Sequence, residues 1–354
     1  MARWLSPPLF KLAFGALSMV EQHPDYRHQD LSPAEGFFRR DRYIQPDVDI
    51  AAFKLQINGI ARARSLTYAD LQALEIAEHI CVMECAGNGN HWMGSAGLIG
   101  QVRWSGPLFQ TVLDAVGGPG ESTHFAFHGC DGLLSKKKGY HYGLSLSDLL
   151  AARAMLALQF NGEPLPTARG FPVRLVVPGI YSMSYVKWLT RIEGSTTPHK
   201  GRFNRLYSNK RLVDGRWVPE EARWIGLKSL ITRCRRVETG WEFSGWAWGG
   251  NEQVESVEIT TDGGETWNDA ELRSPHQVFR DPGVNHEFAP QAEGLTHAST
   301  SFSWIWRDAN PGKHLLASRC RSATRQQPME QPAHVSGHFD QTRVKWREVT
   351  IPAS

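Results

Sequence analysis

The stretch His79-Ile80-Cys81-Val82-Met83-Glu84-Cys85-Ala86-Gly87-Asn88-Gly89-Asn90 constrains this chain more than any other. Ile80, Val82 and their neighbours form a short apolar, β-branched run, which predicts a buried strand. The run breaks at Cys85. Gly87-Asn88-Gly89 tolerate positive φ, so a tight turn follows at once. A thiol on the lip between strand and turn is held rigidly and can still face a cavity. A soft thiolate ligand needs that placement, because the thiolate is the form that binds metal. Cysteine is also among the residues most often buried, so a structural core cysteine is the competing reading.

At 354 residues the chain is too long for one typical core and predicts two domains. Hydrophobic residues at 41% and charged residues at 21% describe a globular chain with ample core material. A net charge of +3 gives no argument for nucleic acid or an anionic membrane. The five cysteines, Cys81, Cys85, Cys130, Cys234 and Cys320, show neither CxxC spacing nor a CxxCH haem site, and an odd count argues against a disulfide framework. Leu9 to Val20 is apolar but too short to span a bilayer, so no membrane span is expected. With Pro7-Pro8 ahead of it and no clear small-residue cleavage site, it makes a poor signal peptide, and no export signal is visible.

Along the chain, Phe53 to Ile57 alternates as a strand. Thr67 opens a short helix with Asp70 at the reciprocal capping position. Gly106-Pro107 opens a helix carrying Leu108, Val112, Leu113 and Val116, and Gly117-Gly118 stops it. His124 to His128 reads as a strand, Ser147 as the cap of a helix to about Met155, and Phe171–Gly179 and Tyr185–Leu189 as buried strands. Residues 195–225 are a composition break with little apolar periodicity. From Lys228 the pattern is strands only, with a hairpin signal at Asp262-Gly263-Gly264. Intermixed strands and short helices followed by turn-punctuated strands predict an α+β domain and then an immunoglobulin-like sandwich.

Five pieces now occur in one order: Glu84-Cys85-Ala86-Gly87-Asn88, Gly170-Phe171-Pro172-Val173-Arg174, Val177-Pro178-Gly179, Val186-Lys187-Trp188-Leu189 and the Asp-Gly-Gly-x-Thr-Trp run from Thr261 to Trp267. In that order they resemble the sulfite oxidase family, over roughly residues 35–354. Within it the chain is more similar to bacterial sulfite and sulfane dehydrogenases than to the animal enzymes. Composition predicts an N-terminal strap (1–36) and a connecting segment (201–225), and the resemblance implies a molybdopterin-binding catalytic domain (37–200) and an immunoglobulin-like dimerisation domain (226–354).

It also implies a mononuclear molybdenum held by a pyranopterin dithiolene and one cysteine thiolate, with Cys85 the matching ligand and no haem in this chain. Arg40, Asp41 and Arg42 match the family's Arg-Asn-His run near the cofactor. Asp131, Arg174 and the Tyr185-Val186-Lys187 backbone match further pterin contacts, and Arg169 stands where animal members have histidine. Guanidinium forks suit the pterin's phosphate tail, and an Asp suits its amino edge. For Arg39 and Arg42 the plain alternative is a surface salt bridge. Trp104 matches the family's pocket tryptophan, with a core place beneath the following helix as the plain alternative, and Tyr207 matches its active-site tyrosine across a gap. Asn90 stands where animal enzymes place an arginine of their anion cage, so either Arg40 and Arg103 hold the substrate's charge or the substrate is less anionic.

The implied reaction is oxygen-atom transfer to a reduced sulfur substrate, sulfite or a sulfane sulfur, with an external c-type cytochrome taking the electrons. A periplasmic location also follows from the resemblance alone. Lys136-Lys137-Lys138 offers a docking patch for an acidic partner, or simply a solvated turn. A homodimer is expected through the second domain, with some of Trp241, Trp246, Trp248, Trp267, Trp304 and Trp306 outside its core. The competing functions are an oxo-acceptor reductase of the sulfoxide type and a cofactor-free binding protein that uses the sandwich.

Overall fold

Alternation and capping lay down the first half of the chain. In the computed structural model the described residues are 3–4, 19–22, 30–89, 97–132, 139–280 and 291–353. Asn90 and Lys136-Lys137-Lys138 lie outside them. The Lys54–Asn58 strand turns Leu55 and Ile57 inward, as its period of two demands. Thr67 caps the Tyr68–Gln72 helix: its hydroxyl accepts the Asp70 N–H at 3.1 Å, while the Asp70 carboxylate accepts the Thr67 N–H at 2.8 Å. The Phe109–Ala115 helix follows Pro107, buries Phe109, Val112 and Leu113, and stops where Gly117 and Gly118 take φ of +93° and +87°.

These pieces assemble into a five-stranded sheet in the order Arg64–Thr67, Lys54–Asn58, Leu189–Ser195, His124–Gly129, His141–Ser145. A four-stranded sheet runs Glu163–Pro164, Gln159–Phe160, Ile99–Pro107, Ile76–Glu84. Ile76–Glu84 carries the cysteines. From His79 onward it is buried on both sides, so its sequence reads as a continuous apolar run instead of an alternation.

Four local expectations are corrected. Ser145, not Ser147, caps the next helix: its hydroxyl accepts the Asp148 N–H at 3.1 Å, the helix ends at Ala151, and Met155 begins the Met155–Ala157 strand. The Phe171–Gly179 run contributes only Arg174–Val176 as strand, paired with Met155–Ala157. Tyr185–Leu189 is not a strand: a 3-10 turn at Ser182–Ser184 precedes it, Trp188 takes φ of +50°, and extended structure starts only at Leu189. The composition break at 195–225 contains a helix, Arg202–Leu206, and a hairpin, Ser208–Val213 with Arg216–Glu221, turned at Asp214-Gly215 with both φ positive.

The second half forms two facing four-stranded sheets. One runs Lys228–Val237, Gly240–Trp248, Thr300–Trp306, Glu271–Arg273, and the other Asn268–Asp269, Ser256–Thr260, Gly312–Arg321, Arg347–Ile351. Ile231, Phe243, Ala247, Val257, Ile259, Phe302, Leu316 and Cys320 fill the space between them. Among the described residues the strands-only reading needs two changes, a short helix at Pro275–Arg280 and a 3-10 turn at Ala292–Leu295. Trp241, Trp304 and Trp306 flank this core half-buried, Trp304 and Trp306 stacked at 6.4 Å. Trp267 lies under the Arg319 guanidinium, 4.0 Å from its ring centre. Trp246 and Trp248 instead pack against the core of the first half.

Candidate active site

One cavity, about 780 Å³ including its open mouth, gathers most of the residues singled out from the sequence. Arg40, Asp41, Arg42, Cys85, Asp131, Arg169, Arg174, Tyr185, Lys187 and Tyr207 all line it. Cys85 reaches it because the Ile76–Glu84 strand stops one residue earlier. The Cys85 N–H still donates to the Leu98 carbonyl at 3.0 Å, and its own carbonyl accepts the Asn88 N–H at 2.8 Å, closing the turn. It is the cysteine among the lining residues.

The rest of the lining is rich in cations. Arg39, Arg40, Arg42, Arg169, Arg174 and Lys187 line the cavity against two carboxylates, Asp41 and Asp131. Arg40 stands on the Arg39–Asp41 strand, which pairs with Met19–Gln22. Asp41 is buried and takes hydrogen bonds from Arg39 Nε at 2.6 Å and from Lys187. Burial lowers the Lys187 pKa to about 8, with Asp41 pulling it back up. Asp131 is pushed up to about 6, chiefly by burial, although the Tyr140 N–H donates to it at 2.9 Å. Arg42 donates from Nε to the Tyr207 hydroxyl oxygen at 3.0 Å, its guanidinium 5.5 Å from that ring's centre. Arg39 and Arg42 are thus cavity residues, not surface pairs.

Arg174 is buried, as its apolar run implied. Complete burial lowers its pKa to about 9, which leaves it cationic at neutral pH. Its Nη1 donates to the Arg169 carbonyl at 2.9 Å, and its guanidinium lies 4.8 Å from the Trp104 ring centre. Trp104 itself does not line the cavity. It is wholly buried beneath Arg174, edge-on to Phe160 at 5.1 Å, because its register opposite Phe160 turns it into the core. Of the two readings of Trp104, the structure places it in the core and outside the cavity lining. Val186 is also buried outside the lining, and its carbonyl accepts the Leu175 N–H at 2.9 Å.

Arg169 lines the cavity, yet its guanidinium donates to the carbonyls of Ala34 at 2.7 Å, Phe37 at 2.7 Å and Phe38 at 3.0 Å. That braces the segment leading into Arg39–Asp41. Arg103 is not a lining residue and sits 3.6 Å from Glu78. Tyr140, Met83 and Met183 line the cavity without any sequence signal for it. Tyr140 is fixed by a hydrogen bond from its hydroxyl to the Met183 carbonyl.

Comparison with known proteins agrees with this geometry. The model of an oxidoreductase molybdopterin binding domain matches residues 43–203, and that of a Mo-co oxidoreductase dimerisation domain matches residues 228–333. Mitochondrial sulfite oxidase of Homo sapiens is 31% identical over 285 residues, 70% of this chain and 50% of that protein. Sulfite oxidase of Gallus gallus is 32% identical over 273 residues, 68% of this chain and 59% of that protein. This chain belongs to the sulfite oxidase family. The sulfane dehydrogenase SoxCD from Paracoccus pantotrophus shares the fold, with a TM-score of 0.80 at 22% identity over 99% of this chain and 88% of that one. The chain spans about half the length of the curated sulfite oxidases it matches, 50% for the human protein.

The cavity fits the family's molybdopterin. The excess of guanidinium groups suits an anionic phosphate tail, and Arg174 Nε is buried with no hydrogen-bond partner among the described residues. Among the described residues no group of three or more His, Cys, Asp or Glu side chains is placed to hold a metal ion. Cys85 is the thiol that this cavity presents to such a group.

Proposed function

We propose that this chain oxidises a reduced inorganic sulfur anion, sulfite or a sulfane sulfur, and passes the electrons to an external c-type cytochrome. The observation that carries the reading is Cys85 sharing one cavity with a set of cations that includes Arg40 and the Arg42–Tyr207 pair. When bound, the molybdenum cofactor supplies the redox chemistry and the oxygen-atom exchange. The protein supplies position and charge. Arg40 holds the anion and stabilises the charge that develops during transfer. Arg42 donates to the oxygen of Tyr207, which leaves the phenolic proton to donate to a substrate oxygen. Asp131, Arg174 and Lys187 hold the pterin, while Asp41 pairs Arg39 and Lys187 so that the wall keeps its shape. The residues after 226 form the family's dimerisation domain, and we read the working enzyme as a homodimer, which light scattering checks against the 39.7 kDa monomer.

Metal analysis and two assays test this. About one molybdenum per chain and sulfite- or thiosulfate-dependent reduction of cytochrome c are expected. A nitrate reductase of Hordeum vulgare, 29% identical over 294 residues, gives the opposite direction a place in the test. Oxidation of a reduced viologen dye by a sulfoxide or nitrate, without sulfur-dependent cytochrome reduction, would replace the proposal with an oxo-acceptor reductase. No molybdenum from a cofactor-competent host would leave only a binding protein.

A further inference from the structure

The strand that ends at Cys85 is gripped from its other side. Alternation turns His79, Cys81 and Met83 one way and Ile80, Val82 and Glu84 the other. Met83 and Cys85 line the cavity, whereas Ile80 packs with Val278, Phe279 and Leu295. Glu84, wholly buried, meets the sandwich. Lys228 Nζ donates to its Oε1 at 2.8 Å and Trp248 Nε1 to its Oε2 at 3.0 Å. Asn88 Nδ2 donates to the same Oε1 at 3.0 Å, and Asn88 Oδ1 accepts the Leu98 N–H at 3.2 Å.

The grip extends along the turn. The Asp340 N–H donates to the Ala86 carbonyl at 2.9 Å, and Lys345 Nζ donates to the Gly89 carbonyl at 3.0 Å. Lys228 also donates to the Tyr181 hydroxyl at 2.9 Å, and that hydroxyl in turn donates to Asp340. Glu84, Ala86 and Gly89, on both sides of Cys85, are therefore held directly by side chains and backbone from after residue 226, and Asn88 through Glu84. The first domain adds the Leu98 carbonyl on the Cys85 N–H, the Leu98 N–H on Asn88 Oδ1 and the Asn88 N–H on the Cys85 carbonyl.

We infer that Glu84, Lys228 and Trp248 form a positioning clamp through which the second domain sets the geometry of the Cys85 thiolate turn. This gives the sandwich a part in the site beyond dimerisation. A buried carboxylate with three donors of fixed direction is stiff, because losing any one leaves a buried polar atom unmatched. The inference rests on Cys85 being the metal ligand, and the proposed substrate does not enter it.

Two variants test it. Trp248→Phe removes one donor and keeps the ring. The double variant Glu84→Gln with Lys228→Met removes both buried charges together, so neither is left unpaired. In cofactor-free protein, alkylation of Cys85 by iodoacetamide, followed by mass spectrometry, should speed up several-fold in both variants. In molybdenum-loaded protein, the electron paramagnetic resonance spectrum of the reduced metal should shift, with kcat lowered more than KM is changed. A merely structural network would lower the melting temperature of both variants while leaving the alkylation rate, the spectrum and kcat of loaded enzyme as in wild type, and that result would overturn the clamp. Wild-type protein without molybdenum would defeat the functional proposal, and the alkylation arm would still decide the clamp.

Discussion

Two thiols share one strand, and they differ in almost everything a thiol can differ in. Cys81 lies mid-strand, wholly buried, and burial pushes its pKa up to about 12 even though Tyr185, Trp104 and Arg174 pull the other way. Cys85 lies one residue past the strand's end, half-buried, on the edge of the cavity. The residue type is the same and the face of the strand is the same. What differs is where the ladder stops. Ending a buried strand at a Gly-Asn-Gly turn turns an inert core thiol into one that a metal can reach, and the backbone bonds to Leu98 and Asn88 keep it in place.

The sharpest break in that comparison comes from serine at each position. Cys85→Ser should abolish turnover while the chain still folds, since a hydroxyl is a harder and poorer ligand; wild-type sulfite-dependent activity in that variant would refute the ligand assignment. Next in size are the cations of the same cavity. Arg40→Gln should lower kcat/KM for sulfite by about 2 kcal/mol, roughly thirty-fold, as a lost charged hydrogen bond does, and an unchanged kcat/KM would take Arg40 out of the substrate's reach. Cys81→Ala should do the opposite of a change at Cys85: stability falls by about 1 to 2 kcal/mol in chemical denaturation, as for a small core cavity, and kcat stays put.

The effect that is smallest at neutral pH, and grows only on acidification, belongs to the same strand's buried start. Burial holds His79 down to about 4, against 6.5 in the unfolded chain, with Arg153 adding to the shift. The unfolded chain therefore binds the proton first as pH falls. Stability from the neutral imidazole is complete above about pH 6.5 and is lost toward pH 4, by up to about 1.4 kcal/mol per pH unit. His79→Gln should flatten that slope; denaturation curves as steeply pH-dependent as wild type would assign it elsewhere.

What could be read from the sequence divides along the same physical line. Local chemistry was legible: the Thr67–Asp70 box, the helix after Pro107 and the strand that breaks at Cys85 each follow from neighbours in the chain. Long-range placement was not. Trp104 carries no mark that separates a pocket wall from a layer under Arg174, and Arg169 none that commits its donors to Ala34, Phe37 and Phe38. Trp188 adopts a left-handed backbone inside a run that reads as a strand. The Ser208–Glu221 hairpin is largely exposed, so it lacks the buried stripe that would have announced it, leaving Asp214-Gly215 as its one signal. Glu84 meets Lys228 across 144 residues, a pairing no local pattern encodes.

The central claim is that Cys85, and not Cys81, supplies the protein's sulfur to molybdenum. X-ray absorption at the molybdenum edge tests it directly on the wild type, Cys85→Ser and Cys81→Ser, each loaded with cofactor. The account predicts a cysteinyl sulfur in the wild-type shell beside the dithiolene sulfurs, lost in Cys85→Ser and kept in Cys81→Ser. A sulfur shell unchanged in Cys85→Ser, or diminished in Cys81→Ser, would contradict it.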